Sequence, residues 1–143
     1  MENVHYYKTN VKWDEGRIGT LSSPTLESFK VATPPEFPKG VPNTWSPEHL
    51  YVASINICLM TTFVAVAENS KLEFETYSCE SVGKLEKVEG KFMISEIELI
   101  PEIKIKHEKD IERAERIIHK SDNLCLISNS VKTKIVLNPK IIV

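Results

Sequence analysis

The chain has 143 residues, enough for one domain that buries a real core without disulfide staples. Its 18 Lys and Arg against 20 Asp and Glu give a formal net charge of -2, which provides no broad electropositive surface for a phosphate backbone, so nucleic acid is not an expected partner. Three widely spaced cysteines, Cys58, Cys79 and Cys125, do not make the dense framework of a small secreted domain, and Met1 to Lys8 lacks the basic start and apolar run of a secretory signal. A reducing cytoplasm is the expected location.

Val4 to Asp14 is rich in β-branched and aromatic residues and predicts a strand, Glu15-Gly16 a turn, and Arg17 to Ser22 and Leu26 to Ala32 the rest of an N-terminal meander. Between Pro34 and Pro42 four prolines and Gly40 forbid both a helix interior and a central strand, which leaves a loop. Ser46-Pro47-Glu48 then opens a helix: the serine can cap the first free amides, proline is pre-set for the first helical position, and glutamate suits the positive end of the dipole. The helix should run to about Glu68. Leu50 to Ala67 is eighteen residues without a charge, at the lower edge of a membrane span. Ser54, Asn56, Thr61 and Thr62 interrupt its apolar surface, and Glu48 and Glu68 flank it where Lys, Arg or aromatic anchors would be expected. A core helix, apolar on nearly all faces, is therefore expected rather than a membrane partner.

Leu72 to Lys106 alternates as strands about a hairpin turn at Glu89-Gly90, with Met93, Ile97, Leu99, Ile103 and Ile105 on one face. His107 to Lys120 carries Ile111, Ala114, Ile117 and Ile118 at helical spacing among charges and predicts an amphipathic helix ended by Ser121-Asp122-Asn123. Cys125 falls in the connection after it, and Val131 to Leu137 alternates as a last strand. The organisation is that of a single α+β domain spanning residues 1–143, an antiparallel sheet packed with a long buried central helix and a second, amphipathic one.

Among chemistry-bearing residues, Cys58 lies inside the most apolar helix, where a plain core cysteine is the default reading. Cys125 lies outside regular structure in Asn123-Leu124-Cys125-Leu126-Ile127-Ser128 and reads as a reachable loop thiol. Cys79 alternates on a strand with Tyr77 and Ser81 and reads as structural, and Glu96 and Glu98 read as a solvated edge. His5, His49, His107 and His119 form no zinc-binding spacing, and neither a phosphate loop nor a nucleophile elbow is present, so no metal or cofactor is expected.

Ser46-Pro47-Glu48-His49-Leu50, followed by Ala53-Ser54 and then Cys58 ten residues after Glu48, resembles the segment of the osmotically inducible protein C and organic hydroperoxide resistance (OsmC/Ohr) family in which a Pro-Glu pair opens a helix bearing the reactive cysteine. Asn123 to Asn129 resembles the family's Cys-Pro-Val-Ser stretch, with Leu126 in place of the proline, and Thr33-Pro34-Pro35-Glu36-Phe37 resembles the loop before the helix. Leu59-Met60-Thr61-Thr62 after the first cysteine is a further departure.

The resemblance implies an OsmC-like fold and a thiol peroxidase of organic hydroperoxides. In it Cys58 attacks the peroxide and Cys125 resolves the resulting sulfenic acid as a disulfide, with a lipoyl-type dithiol as reductant. It also implies an arginine that lowers the thiol pKa and a glutamate that holds it. Glu48 matches the glutamate. Arg17 in Gly16-Arg17-Ile18-Gly19 resembles the arginine of the hydroperoxide-resistance branch, whereas the other branch uses the loop before the helix, where Lys39 is the available cation. Ten residues of helix set Glu48 and Cys58 about 15 Å apart, so a glutamate serving that thiol must come from a second subunit. An intertwined homodimer meets that need and is what the family implies. The rival reading is a non-catalytic module that binds a hydrophobic or thiol-bearing small molecule, with Cys58 as core.

Overall fold

The computed structural model describes residues 3–143, in two compact units: one that ends at Leu50, and one from Tyr51 to Val143. In the first, β1 (Asn10–Glu15), β2 (Ile18–Ser23) and β3 (Leu26–Ala32) form an antiparallel meander in that order. The strand expected from Val4 begins only at Asn10. The ladder explains this, because Asn10 pairs with Ser22 and β2 ends one residue later, leaving the preceding residues without a strand to pair with. The Pro-rich segment is a folded loop, closed by hydrogen bonds from the Phe37 amide to the Pro34 carbonyl (3.1 Å), Gly40 to Phe37 (3.0 Å) and Val41 to Thr33 (2.9 Å). Gly40 is required there, since a Cβ would stand 2.0 Å from the Pro34 carbonyl oxygen.

Helix α1 (Pro47–Asn69) starts as its sequence dictates. The Ser46 hydroxyl accepts a hydrogen bond from the His49 amide at 3.1 Å and lies 2.7 Å from His49 Nδ1, while the Ser46 carbonyl accepts from the Leu50 amide. These bonds satisfy donors that a helix start would otherwise leave open.

The second unit is built on a long hairpin, β4 (Phe74–Val88) and β5 (Lys91–Ile105), turned at Glu89-Gly90 with both residues at positive φ (52° and 81°), as a tight hairpin turn requires. Two short strands, β6 (Lys134–Leu137) and β7 (Lys140–Ile142), lie parallel to β5, so this sheet is mixed and not wholly antiparallel as expected, and β7 is a strand that the alternation did not announce. Val131 to Thr133 stays outside β6. Thr133 is instead held by its hydroxyl, 2.6 Å from the Tyr51 hydroxyl and 2.9 Å from the Ile94 carbonyl to which it donates. Helix α2 (Ile111–Leu124) follows a 3₁₀ turn and runs past Ser121-Asp122-Asn123, which were expected to end it. Ser121 is buried and its hydroxyl donates to the Ile117 carbonyl one turn back (2.7 Å), a bond made within the helix rather than at a stop.

The α+β architecture expected from the sequence is thus the observed one. Its core joins Ile55, Leu59, Phe63 and Ala67 of α1, the β5 residues Ile97, Leu99, Ile103 and Ile105, and Ala114 and Ile118 of α2. Phe63 anchors the helix, its ring centroid 5.2 Å from those of both Phe74 and Tyr77. α1 is long and apolar enough to cross a membrane by length and composition. One of its faces packs on the sheet, but it is not buried all round: Ile57, Met60 and Val64, spaced three and four residues apart, remain 58%, 41% and 41% exposed.

Gly83 of β4 lets α1 approach the sheet. A Cβ there would fall 2.5 Å from Val52 Cγ2, the branched and therefore stiff side chain above it. Gly83→Ala is expected to cost about 1–3 kcal/mol through overpacking, read as a lowered midpoint in denaturant unfolding at unchanged slope.

Candidate active site

Cys58 lies on the core-facing side of α1 beside Leu59 and is 9% exposed. Cys125 is the residue that caps the C-terminus of α2. With φ -64° and ψ 110° it turns the chain out of the helix. A compact turn follows, in which the Asn129 amide donates to the Cys125 carbonyl (3.0 Å) and the Ser130 amide to the Ile127 carbonyl (3.0 Å). This turn faces the Cys58 sulfur. The expectation of a reachable loop thiol is corrected here: Cys125 does lie outside the helix, but the turn folds inward and leaves it 0% exposed. Both thiols are free, and each shifts the ionisation of the other.

The electrostatics of the pair are asymmetric. Burial pushes the Cys58 thiol up, but the Cys125 thiol, the Ile127 amide, the Thr62 hydroxyl and the Leu126 amide all offer hydrogens to its sulfur, and together they hold it below the ordinary thiol value. Thr62 stands one turn along α1, with its oxygen 3.9 Å from the sulfur. Cys125 moves the other way. Burial raises it, its role as donor to Cys58 raises it further, and the Ser128 hydroxyl and amide offset this only in part. Of the two thiols, Cys58 is therefore the one that ionises more readily.

Cys79 stays apart from this exchange of protons. It is half-buried on β4, its carbonyl accepts from Asn56 Nδ2 of α1 (3.1 Å), and burial raises its thiol. Tyr77, two residues earlier, has a buried hydroxyl that burial and the neighbouring Cys79 keep firmly protonated. Sequence reasoning did not find Thr62, the Leu126 and Ile127 amides, or Ser128. Of these, only Thr62, four residues after Cys58 on one helix face, left a readable signal.

The other expected site residues belong to the first unit. Arg17 follows Gly16 (φ 52°) in the turn between β1 and β2, is exposed, and makes no ion pair among the described residues. It lines an open, largely apolar cavity of about 450 Å³ with Trp13, Ile18, Val31 and Pro47. Glu48 stands in the first turn of α1 with Oε1 buried and without a hydrogen-bond partner among the described residues. Lys39 is an exposed loop residue with φ 63°. The two arginines of the second unit are occupied or remote: Arg113 holds the Ser70 carbonyl (2.6 Å) and Asp110 (3.3 Å), and Arg116 is exposed on α2. Among the described residues no group of three or more His, Cys, Asp or Glu is placed to hold a metal ion.

The fold is α+β, with Cys58 on the long helix α1 and Cys125 at the end of α2. The OsmC-like protein family model matches residues 40–140, and the chain belongs to that family. A relative, protein YmaD of Bacillus subtilis (strain 168), is 26% identical over 141 residues, covering 96% of this chain and 93% of its own. Among solved structures, an OsmC-like protein of unknown function from Vibrio cholerae O1 biovar eltor str. N16961 superposes with a TM-score of 0.88 at 22% identity, covering 95% of this chain and 99% of that one. An organic hydroperoxide resistance protein from Elizabethkingia anophelis gives a TM-score of 0.79 at 22% identity over 99% of both chains.

Proposed function

We propose that the protein is a thiol-dependent peroxidase of organic hydroperoxides. The observation that carries this reading is the opposition of two free thiols, Cys58 held toward its thiolate and Cys125 held as a thiol. The Cys58 thiolate attacks the distal peroxide oxygen, the O–O bond breaks, and the alcohol leaves with a proton, which gives Cys58 sulfenic acid. Cys125 then attacks that sulfur. An S–S bond forms, the S–O bond breaks, and the Cys125 proton leaves with the hydroxyl as water. A dithiol of lipoyl type restores both thiols by two exchanges.

Arg17 supplies the cation that completes thiolate activation, and Glu48 holds it. Glu48 with its unpartnered buried oxygen and Arg17 without an ion pair support this pairing, because a buried carboxylate oxygen calls for a donor. The working form is an intertwined homodimer in which Glu48 of one subunit serves Cys58 of the other. The exposed stripe Ile57, Met60 and Val64 and the exposed Val11 and Trp13 supply apolar area for such an interface. Catalysis in a single cytoplasmic domain needs neither metal nor cofactor on this reading.

The test is consumption of cumene hydroperoxide and hydrogen peroxide with dihydrolipoamide or a monothiol as donor, followed by mass spectrometry of non-reduced peptides. Preference for the organic peroxide and the dithiol is expected, with a Cys58–Cys125 link after stoichiometric oxidant and no link to Cys79. Over-oxidised Cys58 beside an untouched Cys125 removes the resolving step, and no consumption with any donor leaves the non-catalytic module.

A further inference from the structure

We propose that Tyr51 is a positioning residue for the resolving step: its hydroxyl, bonded to Thr133, latches the connection that carries Cys125 onto the face of α1 that carries Cys58. The inference rests on the two-thiol cycle of the proposed function. The Tyr51 hydroxyl lies 2.6 Å from that of Thr133, which itself donates to the Ile94 carbonyl at 2.9 Å. A threonine hydroxyl has one hydrogen to give. Thr133 spends it on Ile94, so Tyr51 is the donor, and the three groups make one directed chain from α1 through the connection to β5. Thr133 is 8% exposed and Tyr51 packs against the hydrophobic core, which keeps water from competing for the bond.

Tyr51, Ile55, Cys58 and Thr62 are spaced four, three and four residues apart, which is one face of a helix, and Thr62 Oγ1 at 3.9 Å from the Cys58 sulfur shows two of them aligned on it. Tyr51 therefore stands two turns, about 10 Å, before Cys58 on that face. At the other end of the latch, the chain from Cys125 to Thr133 is folded on itself. The Asn129 amide donates to the Cys125 carbonyl, the Ser130 hydroxyl to the Leu126 carbonyl (2.8 Å), and Ile127 and Val131 pack on the core. A turn closed in this way moves as a piece, and Thr133 fixes its far end. The sheet sets where. β5 has a bulge at Ser95, since Lys84 pairs with Glu96 but Leu85 with Ile94, and the β6 ladder begins only at Glu96 with Lys134. Thr133 lies just before that ladder and is held by its side chain instead.

The experiment equilibrates the full chain with defined mixtures of reduced and oxidised glutathione and measures the Cys58–Cys125 link by mass spectrometry of non-reduced peptides. Glutathione disulfide oxidises the two thiols to one S–S bond and leaves as two glutathione thiols, so no peroxide is needed. A latch and a link that favour the same placement of the connection strengthen each other. Tyr51→Phe and Thr133→Val, which remove a hydroxyl and keep the shape, should each lower the equilibrium constant for the link about three- to tenfold, the range that one hydrogen bond spans. The double variant should be no lower than Thr133→Val alone. Thr133→Ser keeps the hydroxyl and drops the methyl, and it should match wild type, a rescue that a packing role would not give. An unchanged constant in Tyr51→Phe overturns the proposal, as does Thr133→Ser falling as far as Thr133→Val, or a double variant that sums the two losses. Far-ultraviolet circular dichroism checks the fold, and if Thr133→Val does not fold, Tyr51→Phe against Thr133→Ser decides. A wild-type chain that forms no such link defeats the latch and the proposed function together. A link that weakens without the Tyr51 hydroxyl in a protein that consumes no hydroperoxide defeats the proposed function alone, and an unchanged link in one that does consume it defeats only the latch.

Discussion

Cys58→Ser is expected to lose hydroperoxide consumption by more than about a hundredfold, because a serine hydroxyl at that position offers no thiolate and no oxidisable sulfur. Cys125→Ser should behave differently. It keeps the first oxidation, since the Thr62, Leu126 and Ile127 donors remain around Cys58, but loses the rapid second step. Single-turnover alcohol release should then persist at a rate within a few-fold of wild type, while steady-state turnover with a dithiol falls by about tenfold or more and Cys58 accumulates as sulfinic acid. Intact-mass spectrometry separates these states. Because Cys125 is fully buried, its replacement by serine should also cost about 1–3 kcal/mol in unfolding free energy, so rates are to be compared well below the unfolding midpoint. Equal loss of the first oxidation in both variants would contradict the division of labour between a low thiol at Cys58 and a high one at Cys125.

Complementation carries the second large effect. Glu48→Ala and Cys58→Ser chains should each be inactive as homodimers, yet their mixed dimer should regain one working site, about half the wild-type rate per dimer, if Glu48 serves the thiol of the opposite subunit. The measurement is peroxide consumption by heterodimers purified on two different tags after refolding together. No recovery in a verified heterodimer places each site within one chain, and a monomer by sedimentation removes the model at once. Arg17→Met belongs to the same test. It should shift the pH midpoint of Cys58 alkylation upward and slow the reaction near neutral pH, with rates converging in alkali where the thiolate forms unaided. A shift produced by Lys39→Met alone would move the cation to the Pro-rich loop.

Much of the architecture is local and is therefore written in the sequence. Ser46-Pro47-Glu48 carries the start of α1 because a cap needs only neighbouring residues, and Glu89-Gly90 carries the hairpin because two positive φ angles suffice to reverse the chain. Cys125 stands out by its place after a helix end, whereas Cys58 reads as core and is singled out only by the resemblance of its segment to the family's. Their asymmetry is not legible there. Burial pushes Cys58 up, but a segment 67 to 69 residues along the chain supplies the Cys125 thiol first and then main-chain donors that lower it, while burial raises Cys125 through inward folding that no periodicity encodes. Likewise the apolar α1 reads as buried all round, but only tertiary packing decides which side meets the sheet and which leaves Ile57, Met60 and Val64 open. Parallel pairing of β6 and β7 with β5 is decided in the same way, by long-range contacts that short strands of three and four residues cannot announce.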